Sequence, residues 1–161
     1  MVFSLLHIIH VLTVILWIGG LAFVTIIVLP MAIKTPDALQ KVLMFQRVEH
    51  RFAGLARIYN VITGASGFAM LFMMGWHRLL FTRAGIALTV MTMIWVFWFV
   101  MLWGLEPIVI KKMLSRMAKE GDKMDIDAIF IRLNRMHWFM VVISLVAAAA
   151  GAIAAHGAPS F

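Results

Sequence analysis

The chain reads as an all-α integral membrane four-helix bundle, on three observations. Of its 161 residues 64% are hydrophobic and only 13% charged, against roughly 45–50% and 25% in an average soluble domain. The charges cluster, leaving four windows without Lys, Arg, Asp or Glu: Val2 to Ile33, Ile58 to His77, Ala84 to Leu105 and Met136 to Phe161. Crossing the hydrocarbon core takes about 20 mostly apolar residues, and each window supplies them. A single transmembrane domain over 1–161 follows, with spans of about 3–30, 57–76, 84–105 and 134–156.

The first window holds His7 and His10 as its only ionisable side chains and lacks the basic leader and cleavage site of a signal peptide, so it reads as a retained span. In the second, Gly64, Gly67 and Gly75 suit close helix contact inside a bilayer, and the fourth has the same character from Ala147 through Ala155. These small-residue faces could pack within one chain or between two copies, so a homodimer is one expectation. Lys34, Lys41, Arg47, Arg51 and Arg57 separate spans one and two; Lys111, Lys112, Arg116, Lys119, Lys123, Arg132 and Arg135 separate three and four. Together they are twelve of the fourteen basic residues. Lys and Arg resist translocation, which predicts two longer cytoplasmic loops and both termini on the outer side of a bacterial inner (cytoplasmic) membrane. Asp37 is a cap for an amphipathic helix carrying Leu39, Val42, Leu43 and Phe45; Glu120-Gly121-Asp122 reads as a turn, after which Asp125 or Asp127 starts a helix running into span four.

An ionisable group inside a membrane is costly and marks a functional hypothesis. With this topology His7, His10, His77 and His156 form an outer set, and His50 and His137 an inner one. Neutral imidazole ligates iron, copper or zinc, and two such rings on facing helices clamp a haem. His10, Thr13, Trp17, Gly20 and Val24 share a helical face, with His7 one turn earlier. His10 is therefore the first ligand, His7, His77 or His156 its outer partner, and His50 with His137 a second inner pair. Arg51 and Arg135, at the inner ends of spans two and four, read by default as snorkelling to lipid phosphates, and would pair with haem propionates if a haem sits at that side. Thr63, Gly67, Met70, Met74 and His77 form a second stripe, whose thioethers would suit copper. Asn60, Thr63, Ser66 and Asn134 read as interhelical hydrogen-bond partners.

Absences narrow the chemistry further. Without cysteine there is no disulfide, no thiolate metal site and no cysteine nucleophile. The sequence carries no phosphate-cradling glycine loop, serine nucleophile elbow or zinc-protease pair, so hydrolysis is excluded as a first reading. A chain this short is also a poor stand-alone secondary transporter.

The run His10 to Leu21, with Trp17-Ile18-Gly19-Gly20-Leu21, closed by Leu29-Pro30, resembles the first helix of the CopD-like (copper-resistance protein D) membrane family. Arg51-Phe52-Ala53-Gly54-Leu55-Ala56-Arg57 and Thr63-Gly64 are similar to that family's approach to its next helix. A more distant similarity is to HemJ-type haem-binding membrane proteins, which also place a His before a Trp; this chain departs from them in having Asn134-Arg135-Met136-His137 in place of an Asn-Glu-x-Pro motif. The resemblance implies a His10-centred cofactor site, with haem suggested by one relative and copper by the other. The leading expectation is thus a b-type haem protein, holding one or two haem b groups, that transfers electrons between a quinone pool and a periplasmic redox partner. The alternatives are a copper-binding or copper-transport protein, and a structural subunit of a larger membrane complex.

Overall fold

The structure is a computed structural model and describes residues 1–105, 108 and 125–156. Among these residues all regular structure is helical, in four long elements: α1 (Val2–Lys34), α2 (Ala38–Met73), α3 (Ile86–Leu105) and α4 (Ile126–His156). Each is long and apolar enough to cross a membrane. At 1.5 Å per residue α1 and α2 measure roughly 50 Å, well beyond the ~30 Å hydrocarbon core. The expected amphipathic helix after Asp37 and the second span are thus one uninterrupted rod.

The helix ends follow from local chemistry. Pro36 forces Thr35 into an extended conformation, which stops α1. The Asp37 carboxylate then accepts the Gln40 N–H at 2.6 Å and starts α2, and Asp125 accepts the Ala128 N–H at 2.9 Å to start α4. Inside α1, Pro30 has no N–H to give and its ring would crowd a carbonyl one turn back. The helix widens just before it, at Val24–Val28, where the Leu29 N–H reaches the Val24 carbonyl five residues away. At the far end of α2, Gly75 takes the left-handed conformation (φ 69°) that closes the helix. Gly85 is needed before α3 for a different reason: a Cβ there would lie 2.0 Å from the Leu79 carbonyl oxygen. Because α2 stops at Met73, His77 sits in the short turn Trp76–Leu79 and the expected stripe from Thr63 to His77 is broken.

The four helices run alternately up and down. Phe3 of α1 meets Trp76 just beyond α2, while the ring of Phe52 packs where a Cβ on Gly20 would be, so α1 and α2 are antiparallel. Trp98 of α3 donates to Ser144 of α4 at 3.0 Å, and Met91 of α3 lies against Gly151 of α4, so that pair is antiparallel too. The tightest packing is within these two pairs. One buried cluster joins them at mid-bundle through Trp17, Leu21, Ala56, Trp98, Leu102, Met140 and Val141. A second, at the Lys34 end, contains Val24, Val28, Leu29, Ala32, Val42, Phe45 and Phe130. Ile8, Leu12, Ile15, Phe72, Phe97, Val142 and Leu145 point outward, an apolar surface compatible with contact with a lipid bilayer. The Glu120-Gly121-Asp122 turn and the five basic residues from Lys111 to Lys123 lie outside the described residues.

At the Lys34 end one ion pair pins α2 to α4. The Lys41 side chain, 4% exposed, donates to the Asp127 carboxylate, 75% exposed, with its ammonium 5.9 Å from the Phe130 ring centre. Removing one partner of a fully buried pair costs about 3–5 kcal/mol, whereas replacing both with apolar groups is often neutral. With Asp127 largely in solvent, Asp127→Asn is expected to cost about 1–2 kcal/mol, and adding Lys41→Met should recover most of it. Unfolding in detergent followed by circular dichroism checks both; a double variant as weak as the single one would show that the pair matters by more than charge.

Candidate functional site

Polar side chains gather along the seam between α1 and α2. Thr13 and Thr63 are buried, and the Thr63 hydroxyl donates to the Thr13 oxygen at 3.0 Å. Thr13 in turn donates back to the Ile9 carbonyl at 2.9 Å. One turn toward the N-terminus His10 lies against Gly67, where a Cβ would stand 3.0 Å from its ring. Its Nδ1 is 3.0 Å from the Thr63 carbonyl oxygen and 3.1 Å from the Ser66 hydroxyl oxygen. A carbonyl can only accept, and Ser66 spends its own proton on the Ile62 carbonyl at 2.7 Å, so Nδ1 must carry the hydrogen. The imidazole is thereby held with Nε2 bare, the arrangement in which histidine ligates a metal.

His137 repeats the arrangement on α4. It is 9% exposed, its Nδ1 donates to the Leu133 carbonyl at 3.0 Å, and its ring stands edge-on to Phe45, 6.2 Å between centres. Its Nε2 has no hydrogen-bond partner among the described residues. His137 lines a partly open cavity of about 170 Å³ to which all four helices contribute. The other walls include Leu21, Phe45, Phe52, Trp98 and Phe130, and the polar side chains Gln46 and Glu49.

The remaining expected ligands are scattered. His7 is exposed and touches Phe3, ring centres 6.2 Å apart. His77 lies over Phe72 at 5.0 Å, its Nδ1 buried and without a partner among the described residues. His50, Arg51 and Arg135 are exposed; His50 and Arg51 border an open groove along α2, whereas His137 faces the interior cavity. The His156 side chain lies outside the described residues. No hydrogen bond or ring contact joins two of these imidazoles among the described residues, and no group of three His, Asp or Glu is placed to hold a metal there. Met74 is 49% exposed, so the thioethers do not converge with His77 on one point.

Several polar residues carry more than their sequence context suggests. Gln46, Glu49, Ala53 and Ala56 recur at helical spacing on one face of α2, a polar pair continuing into small residues, and that spacing was the available signal for the cavity wall. The Arg57 Nε donates to the Leu102 carbonyl at 3.0 Å, where α3 widens over Met101–Leu105. Asn60 is fully buried: its carbonyl accepts the Trp95 indole N–H at 3.0 Å, while its side-chain amide has no partner among the described residues.

No protein-family model matches this chain, and neither does any curated protein or solved structure.

The Trp95 contact gives a sharp test of how α3 packs on α2. A Cβ on Gly64 would fall 2.3 Å from the Trp95 ring, while one on Gly19 meets nothing within 4 Å. Gly64→Ala should destabilise the protein by about 1–3 kcal/mol and shift its tryptophan emission, and Gly19→Ala should leave both unchanged. Thermal melts with fluorescence detection distinguish the two.

Proposed function

We propose that the chain is a multi-pass protein of the bacterial cytoplasmic membrane, with both termini outside and two longer cytoplasmic loops, that holds b-type haem at His10 and carries electrons. The orientation is supported by the twelve of fourteen basic residues that fall between spans one and two or three and four. A single observation carries the haem reading: an imidazole two turns into α1, pinned through Nδ1 by Thr63 and Ser66, with Nε2 left to ligate. The resemblance of the His10 to Leu21 run to the CopD-like family points to the same residue.

Haem fits the donor chemistry at His10, where Gly67 also keeps the ring's surroundings free of a Cβ. It does not fit the His137 cavity, which at about 170 Å³ is well short of the roughly 300–1,000 Å³ of pockets that take drug-sized ligands. The reading is therefore proposed for His10 and not for the His137 cavity. Bound at His10, haem would supply one-electron redox chemistry; Thr63, Ser66 and Gly67 fix the ring that would hold it. His7, His77 and His156 remain the candidates for a second ligand, since they share the N-terminal end of the bundle with His10.

Purified protein in detergent should show a Soret band and sharp α and β bands on reduction. His10→Ala should abolish these or convert them to a high-spin spectrum, and an unchanged spectrum would remove His10 from the site. A colourless protein with stoichiometric copper would favour the metal-handling alternative, and a colourless, metal-free one a structural subunit. Reporter fusions at either terminus should be active only on the outer side; activity inside overturns the orientation.

A further inference from the structure

The cavity lined by His137 is not used by the haem reading, and its chemistry is specific. Leu133 fixes the tautomer, so His137, a residue only 9% exposed, presents a bare acceptor nitrogen. An acceptor without a donor beside an apolar cavity is one that a ligand's hydroxyl can satisfy. Gln46 lines the same space and adds an amide oxygen that accepts and an amide nitrogen that donates. Apart from the Glu49 carboxylate, the remaining surface is flat or apolar, with Phe45, Phe52, Trp98 and Phe130 among its groups. About 170 Å³ accommodates one substituted six-membered ring and no macrocycle. The site lies where the two helix pairs meet, toward the Lys34 end of the bundle.

We propose that this cavity binds the ring of a membrane para-hydroquinone, with the His137 Nε2 accepting from one hydroxyl. A flat ring carrying hydroxyls matches a lining that combines aromatic side chains with the acceptors of His137 and Gln46. The oxidised quinone has two carbonyls and no donor, so it cannot satisfy a neutral imidazole whose only hydrogen is committed to Leu133. The site therefore discriminates by redox state, preferring the reduced form. An acyl chain would fill the apolar part and leave Nε2 bare. The proposal stands on the geometry of α2 and α4 and does not require haem elsewhere in the chain.

Calorimetric titration of the full-length protein in detergent, referenced to protein-free micelles, tests it with three probes: decylubiquinol under anaerobic reducing conditions, decylubiquinone, and decylbenzene, which has no oxygen. Saturable binding of the quinol, about tenfold or more tighter than of the quinone, is the expected result; a factor of ten corresponds to one hydrogen bond of about 1.4 kcal/mol. His137→Phe should remove that preference while leaving the weak binding of decylbenzene unchanged. Should that variant fail to fold, Gln46→Leu and the selectivity of the unaltered protein decide the matter. Equal binding of all three probes would make the cavity a lipid crevice, and no binding would make it a water pocket; either overturns the proposal. A missing Soret band would overturn the haem reading without touching this titration.

Discussion

The absence of water in the bilayer governs this structure. A polar side chain on an apolar helix must find its partner within the chain, because lipid offers none. The seam between α1 and α2 answers that demand in sequence: Thr13 receives from Thr63, Thr63 lends its carbonyl to His10, and Ser66 accepts from His10 while donating to Ile62. Each such bond is modest, on the order of 0.6 kcal/mol on average between membrane helices. Their larger effect is register. If α1 slid by one turn, His10, Thr13 and the close approaches at Gly20 and Gly67 would all be misaligned together.

The same demand explains the irregular turns. Pro30 removes one backbone bond from α1, and the helix absorbs the defect by widening over Val24–Val28, with the Thr25 hydroxyl donating to the Leu21 carbonyl at 2.8 Å. Where α3 widens over Met101–Leu105, Arg57 reaches across to the Leu102 carbonyl. A snorkelling arginine and an interior arginine look identical in a list of residues. The neighbouring helix decides which one it becomes.

What could be read from the sequence follows the range of the interaction involved. The four spans, the caps at Asp37 and Asp125 and the face shared by His10, Thr13 and Trp17 are local, set by composition and by the 3.6-residue repeat, and all are present in the structure. The end of α2 was misjudged by a few residues because Gly75 was weighed as a packing residue, when its left-handed conformation closes the helix. Long-range pairs were invisible: Lys41 and Asp127 are 86 positions apart, and nothing in either neighbourhood names the other. Counting histidines on each side suggested that His50 and His137 could pair, but α2 turns His50 outward while α4 turns His137 inward. The cavity belongs to no single segment, so only its α2 wall, at Gln46, Glu49, Ala53 and Ala56, left a periodic trace.

His10 and His137 are locked by the same local device in two different ways. Both rings are locked by a backbone carbonyl on Nδ1, and both expose the same lone pair. His10 is fixed by groups on the facing helix α2, so its position is tied to the packing of α1 on α2. His137 is fixed by its own helix, four residues back, and its ring keeps its tautomer however α4 shifts relative to α2. A rigid ring bridging two helices suits a ligand whose geometry must not change, as a metal requires. A ring that travels with its helix suits a site whose walls must part to admit and release a molecule from the membrane. That contrast in anchoring, more than the presence of histidine as such, separates the proposed metal ligand from the proposed small-molecule site.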